Sequence, residues 1–329
     1  MTAPWRILVL PPLDEDLVRG LFAPLGDTAR LMFPATRDRA GLHAALGDAE
    51  VVVGDFTGLL ALDADAVAAA PHLAFVQMPA VGTDSIDVAA LADAGVPVAN
   101  TAGANARAVA EWAVGAAFAL CRSLVWGDRA VRAGGWPQLD VLARAPRELH
   151  AQRVGIAGYG AIGAETARLF QALGCEVSYW TRRRRPEASA TYRGLDDLVA
   201  GSDVLVLALP LTDETRGLFG AERLALMPEN ALLVNVARGG IAPDDAVLTA
   251  LESGRLAGAA LDVFDEEPLA ADHPLRAHEN VLLSPHTAGG TGQAQLNVVA
   301  AVRDNVVAVV EGRPVENVVN GVNSQVRRR

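Results

Sequence analysis

The stretch Val154-Gly155-Ile156-Ala157-Gly158-Tyr159-Gly160-Ala161-Ile162-Gly163 decides the fold. An apolar run enters a G-x-G-x-x-G turn, and an amphipathic stretch, Glu165 to Leu173, leaves it. That strand–turn–helix setting separates a dinucleotide fingerprint from a chance glycine pattern, which is often only a turn. Gly158 permits the tight turn, Gly160 lets backbone approach a pyrophosphate, and Gly163 lets the helix pack on the strand. The free N–H groups and positive dipole end of the helix then face the phosphates.

The next apolar run, Glu176 to Trp180, ends in Thr181-Arg182-Arg183-Arg184-Arg185-Pro186. An NAD site usually places Asp or Glu about 20 residues past the glycines to bond the ribose 2′-OH. Thr181 stands there instead, with Arg182 and Arg183 beside it. Such groups would bond a 2′-phosphate, each charge-assisted contact contributing about 1.5–3 kcal/mol. The plainer reading is a solvated charge run at a strand end. The expectation is NADP(H) preferred, with NAD(H) possible.

At 329 residues the chain suits two domains of ordinary size. Its net charge of −11 argues against general nucleic-acid binding. All 28 basic side chains are arginine, so no lysine Schiff base or lysine substrate clamp is available. Cys121 and Cys175 fit buried thiols of a reduced cytoplasmic chain better than a disulfide framework. Met1 to Leu10 lacks signal-peptide character. The most apolar long stretch, Ala106 to Leu124, carries Arg107, Glu111 and Arg122, so it reads as a buried helix and the protein as soluble, with no membrane partner. No metal site is expected.

Short apolar runs alternate with helical patterns, the signature of parallel α/β structure. Strands are expected at Ile7–Leu10, Val51–Gly54, Phe75–Gln77 and Val96–Ala99, with helices at Asp14–Ala23, Arg39–Leu46, Ala64–Ala70 and Val88–Ala94. A long helix, Ala106 to Arg122, follows. Gly134 to His150 reads as irregular. Beyond the fingerprint, strands are expected at Val204–Leu209, Ala231–Val236, Gly258–Val263 and Val281–Leu283. The intervening helices fall at Leu195–Ala200, Ala221–Leu226 and Pro243–Leu251, and a last helix spans Gln293 to Glu311.

Ligands of open parallel sheets lie outside the carboxyl ends of the strands. Arg238 follows one such end and suits bidentate carboxylate binding. His286 follows another, and histidine is the side-chain type suited to proton transfer near neutrality. Asp265, Glu266 or Glu267, after a third, could hold its tautomer. Taken singly, each is more often structural than catalytic; together, after a dinucleotide fingerprint, they point to an active site.

These residues carry a resemblance to the D-isomer-specific 2-hydroxyacid dehydrogenases over essentially the whole length. It rests on Val81-Gly82-Thr83-Asp84-Ser85-Ile86-Asp87, Gly103 to Glu111, Glu148-Leu149, Leu209-Pro210-Leu211-Thr212, Asn235 to Gly240, Asp262 to Pro268, Ser284-Pro285-His286 and Asn317 to Asn320, in that order. The resemblance implies a catalytic Arg238, Glu267 and His286. It implies two Rossmann-like or flavodoxin-like domains: a discontinuous substrate domain, 1–101 with 290–329, and a cofactor domain, 102–289, with the active site in the cleft. Substrate would also meet backbone near Val81 and Gly82. Cofactor contacts would come from Gly158 to Gly163, Thr181, Arg182, Arg183, Leu209, Pro210, Thr215, Val236, Ala237, Arg238, Asp262, His286, Ala288 and Gly289, with Asp262 on the nicotinamide carboxamide. A homodimer formed through the cofactor domains, involving the stretch after Arg122, is implied as well.

The implied reaction is hydride transfer between nicotinamide and a small 2-oxo or 2-hydroxy acid, of glyoxylate/hydroxypyruvate reductase type. Formate dehydrogenases of this group carry Gln where Glu267 stands, and phosphite dehydrogenase-like members need lysine at Val81. Longer phosphoglycerate dehydrogenases carry regulatory domains beyond the core. The alternatives are a dinucleotide-sensing corepressor-like binding protein, or a dehydrogenase of a different acid such as phosphoglycerate or a bulky 2-oxo acid.

Overall fold

Two parallel sheets, each covered by helices on both faces, organise the chain. The structure is a computed structural model and describes residues 3–329. It divides into two units, one running to Ala104 and resuming at Gly292–Arg329, the other Asn105–Thr291.

The first unit holds β1 (Trp5–Val9), α1 (Glu15–Phe22), β2 (Ala29–Met32), α2 (Arg39–Leu46), β3 (Val51–Val53), α3 (Ala64–Ala68), β4 (Phe75–Gln77), α4 (Val88–Asp93) and β5 (Val98–Ala99). Its strand order is β2-β1-β3-β4-β5, all parallel. Residues alternate between faces: Ile7 and Val9 join one core cluster, Leu8 the other. All four of these helices start on an aspartate whose carboxylate accepts a first-turn N–H: Asp14 from Leu17, Asp38 from Gly41, Asp63 from Ala66 and Asp87 from Ala90, at 2.8–3.0 Å. Each such cap contributes about 1 kcal/mol.

The second unit opens with α5 (Ala106–Cys121), α6 (Leu124–Arg132) and α7 (Gln138–Ala143). Then follow β6 (Arg153–Ala157), α8 (Ala161–Ala172), β7 (Glu176–Trp180), β8 (Thr191–Tyr192), α9 (Leu195–Ala200), β9 (Val204–Leu207), α10 (Ala221–Leu224), β10 (Ala231–Asn235), α11 (Asp244–Glu252), β11 (Leu256–Leu261) and β12 (Val281–Leu283). Helix α12 (Gly292–Val310) returns to the first unit, where Val302, Val306 and Val309 pack with Ile7, Val9 and Phe75. The seven-stranded order is β12-β11-β10-β9-β6-β7-β8. Counted from β6 this is the doubly wound dinucleotide-binding order with a seventh strand added, and its direction reverses between β6 and β9. Leu205 and Leu207 enter one core, Val204 and Val206 the other, so apolar runs without alternation are what this sheet requires.

The parallel α/β architecture is as expected. Four elements depart from the sequence reading. Helix α6 fills the stretch between Arg122 and Gly134, to which that reading assigns no element. Strand β2, A-R-L-M, carries an arginine and no β-branched residue, and as an edge strand it has a neighbour on one side only. Strand β8 is likewise a two-residue edge. The stretch read as irregular, Gly134 to His150, contains α7, whose buried face is missing: Leu139 and Leu142 are exposed. No single helix among the described residues is long and apolar enough to cross a membrane. The pair α5 and α6 reaches that length and composition only across a 64° bend.

Candidate active site

Chemistry-bearing side chains gather at the carboxyl ends of β6, β10, β11 and β12, all in the second unit. After β6, Gly158 has φ +98°, and a Cβ there would lie 2.3 Å from the Ala208 carbonyl oxygen. A Cβ on Gly163 would lie 2.0 Å from the Gly158 oxygen, so the helix sits directly on its own turn. Gly160 is different: nothing lies within 4 Å of its Cβ position. It begins α8, and no side chain caps that helix, in contrast to α1–α4. Exposed Gly160 and Ala161, with half-buried Ile162, leave an open cradle at a helix N-terminus, which fits a pyrophosphate. Tyr159 is turned inward, its ring 4.3 Å from that of Tyr179.

The segment after β7 is folded on itself. The buried Tyr179 hydroxyl donates to the Arg185 carbonyl and accepts the Arg185 N–H, both at 3.0 Å. Thr181 donates its hydroxyl to the Arg183 carbonyl at 2.6 Å. Arg182 pairs with Glu214, a partner the sequence reading missed; Arg183 and Arg184 are exposed. Across the sheet, Thr215 is buried and organises the 209–215 turn: its oxygen accepts Thr212 N–H at 2.8 Å and its hydroxyl donates to the Pro210 carbonyl at 2.7 Å. Leu209 is half-buried and Pro210 exposed.

After β10, Asn235 accepts the Ala237 N–H at 3.0 Å and donates to the Arg238 carbonyl at 3.1 Å, shaping the turn. Val236 and Ala237 are buried, and half-buried Arg238 donates to the Ala237 carbonyl at 2.7 Å. A Cβ on Gly239 would lie 1.9 Å from the Phe264 carbonyl carbon, so this turn seats directly on the turn after β11.

Asp262, 2% exposed, holds the turn after β12. One carboxylate oxygen accepts the Thr287 N–H at 2.8 Å and the Ser284 hydroxyl; the other accepts the Ala288 N–H at 2.8 Å. The Asp262 carbonyl takes the His286 N–H at 2.8 Å. Beyond that turn, Ala288 is buried, and Gly289 packs closely on the Asn105 side chain. The His286 Nδ1 lies 2.7 Å from Glu267 Oε2, and Glu267 Oε1 accepts the Phe264 N–H at 3.1 Å. An ionised carboxylate only accepts, so Nδ1 carries the shared hydrogen and Nε2 is the outward nitrogen. Of the three acids the residues alone left open, Glu267 is the one at His286. Val81 and Gly82 belong to the first unit, where Asn100 donates its amide to the Val81 carbonyl at 2.7 Å.

The chain is similar to known proteins in both sequence and fold. Residues 114–288 match the D-isomer specific 2-hydroxyacid dehydrogenase, NAD binding domain. A glyoxylate reductase of Aeropyrum pernix is 40% identical over 275 residues, covering 81% of this chain and 82% of that one. Among solved structures, a glyoxylate reductase from Paecilomyes thermophila superposes with a TM-score of 0.87 at 27% identity, over 94% of this chain and 96% of that one. A D-lactate dehydrogenase from Aquifex aeolicus, complexed with NAD and lactic acid, gives 0.81 at 26%, over 93% and 96%. The fold and these matches define a nicotinamide-dependent oxidoreductase acting on a CH–OH group. The chain belongs to the D-isomer-specific 2-hydroxyacid dehydrogenase family.

Proposed function

We propose that the chain is a reductase of small 2-oxo acids of the glyoxylate and hydroxypyruvate type, preferring NADPH. The observation that carries the reading is the 2.7 Å His286–Glu267 pair in the turns after β12 and β11, with Arg238 in the turn after the adjoining β10. The A. pernix relative's name supports glyoxylate as substrate.

Gly158 to Gly163 would hold the pyrophosphate, and Leu209, Pro210, Thr215, Val236, Ala237, Asp262, Ala288 and Gly289 the rest of the dinucleotide. When bound, its nicotinamide supplies a hydride to the substrate carbonyl carbon. Arg238 binds the substrate carboxylate and polarises the adjoining carbonyl, with Val81 and Gly82 backbone as further anchors. His286 passes the Nε2 proton to the carbonyl oxygen as the C–O bond becomes single, giving the 2-hydroxy acid. Glu267 fixes the ring and stabilises its charged form. Exposed Arg183 and Arg184, and the lack of an acid at Thr181, support the 2′-phosphate. Arg182 would join them by leaving Glu214. A homodimer, with exposed Trp136 and Leu139 at its contact, completes the reading.

The test follows NADPH and NADH absorbance in parallel with glyoxylate, hydroxypyruvate, pyruvate and phenylpyruvate. Fast NADPH oxidation with a small acid is expected. Preference for NADH removes the phosphate argument. Cofactor binding without turnover of any of the four turns the reading toward a sensor or an unusual acid.

A further inference from the structure

Two aspartates unused in this mechanism join the turns that carry Arg238 and Glu267. Asp244 opens α11 just past the Arg238 turn and is 7% exposed; Asp265 lies beside Glu267 on the surface. Asp265 Oδ2 accepts the backbone N–H of Asp244 at 2.9 Å, and Asp244 Oδ2 accepts that of Asp265 at 3.4 Å. The exchange closes a ring between the two turns. The same backbone receives Gly239, whose Cβ would come within 2.4 Å of the Asp265 nitrogen, while the adjoining Phe264 N–H is bound by Glu267. One short piece of backbone, Phe264–Asp265, therefore takes up Gly239, the aspartate clip and the Glu267 carboxylate.

His273 completes the cluster. Its Nδ1 accepts the Leu275 N–H at 3.3 Å, and its Nε2 lies 3.6 Å from Asp244 Oδ2. With Nδ1 accepting, the ring hydrogen sits on Nε2 and faces the aspartate. Burial first, and then the Asp265 charge, push the Asp244 carboxyl up from its ordinary range; Asp245 adds a smaller like-charge effect. A buried acid beside a second acid opposes its own ionisation. What the pair delivers is the relative position of two turns.

We infer that Asp244 and Asp265 are positioning residues: their exchanged backbone bonds hold the Arg238 turn against the Glu267 turn. They thereby set the spacing between the guanidinium that takes the substrate carboxylate and the pair that moves the proton. This rests on the roles proposed above for Arg238, Glu267 and His286.

The test compares Asp265→Ala with Asp265→Asn, which keeps an oxygen acceptor without the charge. Asp265 is at the surface, so its truncation opens no cavity. Steady-state kinetics with glyoxylate, the cofactor Kd by nicotinamide fluorescence and the Tm are measured for each, with Arg238→Ala as reference. The Ala variant should raise the glyoxylate KM about tenfold and lower kcat, with cofactor Kd and Tm near wild type. The Asn variant should recover most of the loss. Wild-type KM and kcat in the Ala variant overturn the inference, as do equal losses in Ala and Asn, or a loss that only follows Tm. If Arg238→Ala itself turns over normally, the underlying assignment has failed and the inference falls with it, a result distinct from the others.

Discussion

His286 occupies the left-handed region, φ +54°, where residues other than glycine are uncommon and histidine less so than most. Such a conformation costs of the order of 1–3 kcal/mol and persists only where neighbours over-determine it. Asp262 does so here, binding three successive N–H groups of the turn through its carbonyl and its carboxylate. The ring is then 45% exposed, with Nδ1 committed to Glu267. Replacing Glu267 by Gln keeps the shape but sets an amide where the acceptor was. The ring hydrogen would shift to Nε2 and the charged imidazole would lose its stabilising partner. Glu267→Gln should lower kcat about 10²-fold, the lower end of what general acid–base catalysis contributes, with cofactor Kd unchanged. An unchanged kcat would take Glu267 out of the mechanism.

Helices α5 and α8 are joined at the surface by one carboxylate. Glu165 on α8 accepts from Arg168 through two nitrogens, at 2.8 and 2.9 Å, and from Arg107 on α5 at 2.8 Å. Hydrogen bonding to Arg168 leads the causes that hold its carboxyl down at about 2, against an ordinary 4.5. A depressed folded value means that the contribution is present above 4.5 and disappears as pH falls toward 2. Glu165→Gln should therefore be the less stable protein near neutrality, and the gap in urea midpoint should narrow as the buffer is taken below 4.5. A gap that stays constant with pH would mean the charges contribute nothing. Elements like these two helices were legible in sequence because apolar spacing or a glycine turn marks them. Buried strands such as β9 and β10 announce themselves as unbroken apolar runs. Edge strands β2 and β8 do not, since half their bonding is to solvent. The strand-end residues Arg238 and His286 stood out as polar side chains closing apolar runs. The Asp244–Asp265 exchange and the Arg182–Glu214 pair had no such mark, because each forms between segments far apart in sequence whose meeting is a product of the sheet order.

At the scale of the whole molecule, the exposed apolar side chains speak to assembly. Both sheets are sealed by helices, yet Trp136 at 82% and Leu139 at 78% are the most exposed large apolar side chains among the described residues. Leu124, Val131 and Leu142, also exposed, come from the same α6–α7 stretch. A helix such as α7 with no buried residue lacks the packing that ordinarily stabilises so short an element. A second copy laid against this stretch would supply it and would remove these apolar side chains from water. The net charge of −11 works against self-association through general contacts, so an interface has to be local and apolar. The double variant Trp136→Asp with Leu139→Asp should convert a dimer into a monomer by light scattering coupled to size exclusion. It should keep cofactor binding, because the glycine turn and the strand ends lie on other segments. A wild-type protein that elutes as a monomer at micromolar concentration, or a double variant that remains dimeric, would place the contact elsewhere or abolish it.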